Sequence, residues 1–258
     1  MLGKLLKYEI PALGRKLVPL YAGWAATAVL LGLMVGPLEA KSGFMMILSA
    51  MLYTGVATAV FVMAIVMIVQ RYNNSLLGDE GYFSHVLPVK TGTHIASKTI
   101  SALVWILLSA VAMAITGIII AIFSGNFLKI FTVNWGEFIS ELYSGMTPIS
   151  WIIVVELIIA VIFSIAKSIL AIYTALTIGH QASKRVGLAS IAAYIGVLVF
   201  EALIGRILSA IFPNLFIDPE NNTGTMILFL IAIVVSIVIC GIYFFICKYL
   251  LEKRLNLA

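Results

Sequence analysis

Four charged residues lie inside two otherwise apolar stretches of this sequence, and they are the first candidates for chemistry. Glu156 and Lys167 belong to one stretch, and Glu201 and Arg206 belong to the next. Such groups can pair with one another, or they can bind an ion or a charged substrate. An unpaired charge at the centre of a membrane helix costs about 2.5 to 3.5 kcal/mol on insertion scales. We therefore expect each of the four to have a partner or a functional role.

The depths of these charges along their stretches predict how they pair. Glu156 lies near the outer start of the first stretch, and Arg206 lies at the matching depth near the outer end of the second. This match predicts an ion pair between Glu156 and Arg206. Lys167 and Glu201 lie deeper and differ by several ångströms at about 1.5 Å per residue, a gap that a lysine side chain can span. Two structural pairs are one interpretation, and a charged translocation pathway is the other.

Patterns for catalysis, nucleotide binding or metal binding are absent from the sequence. It has no GxxxxGK[ST], HExxH or GxSxG motif. Glu201 and Arg206 resemble the intramembrane pattern of prenyl-protein proteases, which also needs adjacent glutamates and histidines within the membrane. All three histidines lie instead in polar segments: His85, His94 and His180. We expect a non-catalytic chain without a catalytic, metal or cofactor site of its own.

The elements that must hold the four charges are predicted to be membrane-spanning helices. Of the 258 residues, 62% are hydrophobic and 10% are charged, whereas soluble domains are about 25% charged. Six apolar runs have the length needed to cross a hydrocarbon core of about 30 Å, and they lack the alternation of a barrel strand. The sequence therefore predicts an all-α integral membrane protein with a single domain over residues 1–258. The predicted spans are 18–35, 44–70, 95–123, 151–178, 186–212 and 226–247.

Basic residues predict the orientation of the chain. Twelve of the 16 lysines and arginines fall on one side of the predicted spans, two fall on the other, and the remaining two lie within spans. The positive-inside rule then places both termini in the cytoplasm, which accounts for the net charge of +5 without a nucleic-acid partner. Residues 1–16 are predicted to form an interfacial helix, interrupted near Pro11, on the cytoplasmic leaflet. Its headgroup-facing residues are Lys4, Lys7, Arg15 and Lys16.

The longest polar interruption runs from Arg71 to Lys98. Within it, Asp79 and Glu80 follow Gly78, and apolar residues then recur at helical spacing until Pro88. This pattern predicts an amphipathic helix of about two turns, with acids at its positive N-terminal end. Because so short a helix is marginal alone in water, we expect a partner to pack on it. Its apolar positions are Tyr82, Phe83, Val86 and Leu87.

This organisation resembles the permease subunit of bacterial ABC-2 type ABC transporters. It is similar to the six-span permeases of Gram-positive bacteria that export, or confer resistance to, amphipathic and antimicrobial peptides. The topology of the whole chain carries the resemblance, and at the residue level it is specific in LLGDEGYFSHVLPVKTGTHIASKTISALVW, between Leu76 and Trp105. Short re-entrant helices before the last span, found in the family, have only Leu203 to Phe216 as a counterpart.

The resemblance implies partners as well as a fold. It implies two copies of a separately encoded ATP-binding subunit, which bind ATP and Mg, and a second permease copy, identical or related. It also implies surrounding lipid and a location in the bacterial cytoplasmic membrane. By the resemblance, residues 1–16 are a connecting helix, and the segment from Gly78 to Pro88 is a coupling helix seated in a groove of the ATPase. The coupling residues carried over are Gly78, Asp79, Glu80, Tyr82, Phe83, His85, Val86, Leu87 and Pro88.

The expected function is export of a hydrophobic or amphipathic substrate, with a peptide preferred by the resemblance. An exporter of lipid or of small hydrophobic compounds is an alternative of the same type. A secondary transporter or channel that uses the intramembrane charges is an alternative of another class, and it predicts an inverted repeat that the hydropathy pattern does not show. A scaffold or sensor subunit that transports nothing is a third interpretation.

Overall fold

Six long helices make up most of the computed structural model of the chain. The described residues are 2–36, 43–78, 89–125, 136–137, 140, 143–144, 147–182, 185–213 and 222–253. Within these ranges there is no β-strand, and all six helices are long and apolar enough to cross a membrane. This confirms the predicted all-α fold and the prediction of six helices long and apolar enough to span a membrane. The helices are α1 (Leu2–Val35), α2 (Gly43–Tyr72), α3 (Thr91–Phe123), α4 (Pro148–Gly179), α5 (Val186–Ile211) and α6 (Asn222–Lys253).

Helix α1 is continuous, although a break near Pro11 was expected. Pro11 and Pro19 both lie inside it. Around Pro11 the helix is held by α3, because the indole nitrogen of Trp105 donates to the carbonyl of Ile10 at 3.0 Å. One turn later the Trp105 ring lies so close to Gly14 that a Cβ there would come within 2.7 Å of it. These tertiary contacts on both sides of Pro11 offset the helix-breaking tendency of proline.

The last turn of α2 passes into a π-helical segment, Asn73–Leu77. The Gly78 amide donates to the carbonyl of Asn73 at 2.8 Å, five residues back. Ser75, Leu76 and Leu77 are all buried. The residues that immediately precede the predicted coupling segment are therefore packed inside the protein. Such π segments are found frequently at functional sites. The predicted amphipathic helix, from Asp79 to Pro88, lies outside the described residues.

Residue contacts group the chain into two compact units. The first unit comprises residues 1–6, 69–103 and 144–258, and the second comprises residues 7–68 and 104–143.

In the second unit, α1 and α3 run parallel and meet at glycines. Gly14 faces Trp105 near one end, and Gly32 faces Phe123 near the other, where an added Cβ would come within 2.7 Å of the Phe123 side chain. Small residues at such positions let two helix backbones approach closely. Trp24 of α1, only 1% exposed, packs on the aromatic rings of α2. Together these contacts tie the three helices into one bundle.

In the first unit, α4 is the central helix and packs against both α5 and α6. The Thr147 side chain accepts a hydrogen bond from the Ser150 amide at 3.3 Å and caps α4, with Pro148 in the first turn. This cap explains why α4 begins three residues before the predicted span. At the other end, Gly179 approaches the backbone of Ser190 too closely for a side chain. The glycine therefore allows α4 and α5 to pack tightly beside their connecting turn.

Candidate functional site

Three helices of the first unit meet at the carboxylate of Glu201. Lys167 Nζ of α4 lies 2.9 Å from Glu201 Oε2 of α5. The Tyr243 hydroxyl of α6 donates to the other carboxylate oxygen, Oε1, at 3.0 Å. We refer to Lys167, Glu201 and Tyr243 as the Glu201 cluster. The depth argument placed Glu201 within reach of Lys167, and the structure brings these two side chains together.

Helical spacing explains why these side chains converge. On α5, the less exposed positions include Ser190, Val197 and Glu201, which share one face at about 100° per residue. On α4, Lys167 lies on the same face as Leu170 and Thr174, both buried. Lys167 and Glu201 therefore each lie on the face of their helix that packs against the other helices.

The carboxylate of the Glu201 cluster has hydrogen-bond partners, but two of the three side chains are partly exposed. The Lys167 and Glu201 side chains keep 20% and 21% exposure, whereas Tyr243 is only 2% exposed. Each carboxylate oxygen has one donor, so the negative charge is compensated in this conformation. A relative shift of α4 and α5 would separate the pair and present one cation and one anion to a charged ligand. Binding of a charged ligand is therefore the chemistry that the Glu201 cluster allows.

A second set of contacts links the end of α2 to α4. The rings of Tyr72 and Tyr173 stack with centroids 3.9 Å apart and planes 8° from parallel. The Tyr72 hydroxyl and the Thr177 hydroxyl are 2.9 Å apart. Tyr72 and Tyr173 are almost completely buried, at 0% and 2% exposure. We call Tyr72, Tyr173 and Thr177 the tyrosine stack.

Thr174 connects the tyrosine stack with the Glu201 cluster. Its hydroxyl lies 3.3 Å from Cys247 Sγ of α6 and 3.4 Å from the carbonyl of Tyr243. The Tyr243 side chain then reaches Glu201. Thr174 follows Tyr173 of the tyrosine stack in the chain, so ring contacts, this backbone link and hydrogen bonds together connect the C-terminal end of α2, through α4 and α6, with α5. The path lies entirely within the first unit.

Glu156 and Arg206 do not form the predicted ion pair. Glu156 is 6% exposed, and its Oε2 atom is buried without a hydrogen-bond partner among the described residues. Arg206 is exposed. The reason is helix phase: Arg206 follows Glu201 by five residues, so it points about 140° away from the face of α5 that meets α4. Two residues predicted at equal depth on neighbouring helices do not necessarily lie on facing sides of them.

The other predicted site residues are placed as follows. Lys4, Lys7, Arg15 and Lys16 are all exposed on α1. Gly78 ends the π-helical segment in an extended conformation. The remaining coupling residues lie outside the described residues: Asp79, Glu80, Tyr82, Phe83, His85, Val86, Leu87 and Pro88. Contact of this segment with an ATPase stays a prediction.

Sequence reasoning did not identify the tyrosine stack or Tyr243. Their signal is present, because Tyr173, Thr174 and Thr177 interrupt an otherwise apolar helix on adjoining faces. Buried tyrosine and threonine hydroxyls need hydrogen-bond partners, so such a group in a membrane span indicates an internal contact. No pattern in the sequence identifies the partner residues on other helices.

No protein-family model, curated protein sequence or solved structure matches the chain. What the chain does must therefore be inferred from its own residues.

Proposed function

We propose that the chain is the membrane-spanning permease subunit of an ABC-2 type exporter in the bacterial cytoplasmic membrane. It moves a hydrophobic or amphipathic substrate, preferably a peptide, using ATP hydrolysed by a separate subunit. Both termini are cytoplasmic in this proposal, and the segment from Asp79 to Pro88 docks on the ATPase. Six apolar helices and the sequence resemblance support it.

The observation that best supports this proposal is the series of contacts from the end of α2 to the Glu201 cluster. The segment proposed to receive the force follows Gly78, and only the π-helical segment Asn73–Leu77 separates that glycine from the end of α2. A displacement there would act on Tyr72, which is held face to face with Tyr173 of α4. Because packed cores have discrete rather than continuous arrangements, such a push favours a switch between two states. The Glu201 cluster would rearrange in that switch.

Partner binding is the first test of the proposal. We expect the chain to co-purify with an ATP-binding protein from its native cells. Changing Tyr82→Ala together with Phe83→Ala removes both aromatic side chains from the apolar face of the docking segment, and it should abolish co-purification while the permease stays folded. The matched control is Phe245→Ala with Tyr249→Ala, a stacked pair on the exposed surface of α6. Unchanged co-purification after Tyr82→Ala and Phe83→Ala would refute the docking assignment.

A secondary transporter or channel remains the second candidate. Glu156 favours it, since a buried carboxylate oxygen without a described partner is a suitable ligand for a cation. Proteoliposomes discriminate the two candidates. Export that requires the ATPase and ATP supports the exporter, whereas uptake driven by an ion gradient in the permease alone, and lost in Glu156→Gln, supports the alternative.

A further inference from the structure

An apolar groove runs along the seam between α1 and α3 in the second unit. Its volume is about 340 Å³, within the range of small-molecule sites. Val18, Tyr21 and Ala25 line it from α1, and Leu108 and Ala112 are among the lining residues of α3. Val18 and Leu108 are 56% and 40% exposed. The groove is therefore open along its length.

Polar atoms in the groove wall are already engaged within the protein. The Tyr21 hydroxyl lies 2.6 Å from the Ser109 hydroxyl, and the Trp105 indole nitrogen donates to the Ile10 carbonyl. Thr116 donates to a backbone carbonyl of its own helix at 2.8 Å. The wall thus offers a ligand hydrocarbon contacts and no spare hydrogen-bond donor from these side chains. That chemistry suits an alkyl chain.

The length of the groove matches one leaflet of a bilayer. The α3 side of the groove extends over eleven residues from Trp105 to Thr116, a length of about 16 Å at about 1.5 Å per residue. Half of a hydrocarbon core of about 30 Å is about 15 Å. Farther along, the seam closes, because Gly32 of α1 lies directly against Phe123 and Ile120 of α3. The groove therefore has the length of one acyl chain, and on α1 it extends from Val18, where the predicted first span begins, to Ala25 near the middle of that span.

A cation lies at the end of the groove where a headgroup would be. Arg15 is exposed and precedes Val18 by about one helical turn. It is at the same end as Trp105, a residue type enriched at membrane interfaces. Arginine recognises phosphate oxygens by charge-assisted hydrogen bonds. A positive charge beside one end of an apolar groove is complementary to an anionic phospholipid.

We propose that this groove is a binding site for an anionic phospholipid from the leaflet on the N-terminal side of α1. One acyl chain lies between α1 and α3, and the phosphate lies beside Arg15. The bound lipid fills the seam that the two parallel helices leave open between their contacts at Gly14 and Gly32. The proposal does not depend on the transport function, since it concerns the second unit and a ligand supplied by the membrane itself.

Native mass spectrometry of the purified chain, exchanged into mixtures of phosphatidylglycerol and phosphatidylcholine, tests the acyl-chain site. We expect one tightly retained phosphatidylglycerol. Ala25→Leu with Ala112→Leu fills the groove and should reduce retention at least tenfold. Ala26→Leu with Ala110→Leu adds the same methyl groups at exposed neighbouring positions outside the groove, and it should retain the lipid. Thermal melting verifies that both variants are folded.

Headgroup recognition is tested by Arg15→Gln, with Lys16→Gln as the control on another face of α1. Arg15→Gln should lower the preference for phosphatidylglycerol over phosphatidylcholine about fivefold, the contribution of one basic residue near anionic lipid. Lys16→Gln should not change it. Equal retention by the groove-filling and control variants would overturn the proposal. So would a groove-filling variant that loses a second protein copy instead of a lipid, because the groove would then be a protein interface.

Discussion

At the scale of single residues, Glu201 is the position on which most depends. Its two carboxylate oxygens accept from side chains on two other helices, Lys167 and Tyr243. A hydrogen bond to a charged group contributes about 1.5 to 3 kcal/mol to stability. Glu201 therefore joins α5 to α4 and α6 in this conformation.

Double-mutant cycles should distinguish the pair that forms from the pair that does not. For Lys167→Met and Glu201→Gln we expect a coupling free energy of about 1 to 3 kcal/mol in unfolding, since the first substitution removes the ammonium group and the second removes the carboxylate charge of the ion pair. For Glu156→Gln and Arg206→Gln we expect a coupling near zero. Reversible unfolding in mixed micelles measures both cycles. A strong coupling between Glu156 and Arg206 would contradict the conclusion that Arg206 points away from the face of α5 that meets α4.

The exchanged pair, Lys167→Glu with Glu201→Lys, separates a structural role from a role in transport. Restored stability with restored transport indicates that the two charges serve only to fix α4 and α5. Restored stability without transport indicates that their positions matter to the substrate.

These two pairs also show which features of the site the sequence could predict and which it could not. Depth follows directly from residue count, so the sequence predicted that Lys167 and Glu201 lie within reach of each other. The orientation of Arg206 depends on which face of α5 packs on α4, and apolar residues surround α5 on every side. In a membrane span hydrophobicity no longer marks the packed face, because lipid and protein core are equally apolar.

At the scale of helices, the tyrosine stack joins α2 to α4 by two separable contacts. Phenylalanine at position 72 would keep the ring stacking with Tyr173 and lose the hydrogen bond to Thr177. Leucine would lose both. The two substitutions therefore measure different parts of the same contact.

We expect Tyr72→Phe to destabilise the protein by about 1 kcal/mol and to leave ATP-driven export largely intact. Tyr72→Leu should cost a further 0.5 to 1.5 kcal/mol or so from the lost aromatic pair. It should also uncouple ATP hydrolysis from export, because α2 loses the rigid ring that pushes on Tyr173 of α4. The ratio of substrate exported to ATP hydrolysed, in proteoliposomes with the partner ATPase, is the measurement. An unchanged ratio in Tyr72→Leu would exclude the stack from coupling.

Helix boundaries differ from the predicted spans for local reasons. The predicted fourth span begins at Trp151, but the Thr147 cap and Pro148 start α4 earlier. Helix α1 does not break at Pro11, because Trp105, distant in sequence, holds both sides of it. Caps and prolines can be read from a sequence, whereas a tertiary contact that overrides a proline cannot.

At the scale of the whole molecule, the six candidate membrane spans among the described residues predict that both termini lie on the same side of the membrane. The excess of basic residues on that side predicts that it is the cytoplasmic side. The two natural cysteines, Cys240 and Cys247, lie within α6. A variant in which both are replaced by alanine therefore offers a chain without thiols for labelling.

In this background, single cysteines introduced at Leu2 and at Leu257 should react with a membrane-impermeant maleimide only after the cells are opened. A cysteine at Ser42, in the predicted outer turn, should react in intact cells. Labelling of Leu2→Cys in intact cells would place the N-terminus outside, and it would remove the coupling segment from reach of a cytoplasmic ATPase.

The contact of Trp105 with Ile10 has a further consequence for biosynthesis. The two residues are separated by 95 positions in the chain. At a synthesis rate of about 5 to 20 residues per second, α1 waits roughly 5 to 20 s for α3 to emerge. During that time a helix with two internal prolines is in the membrane without the partner that supports it. We therefore expect the nascent chain to be more susceptible to quality-control proteases in this interval than after α3 has inserted.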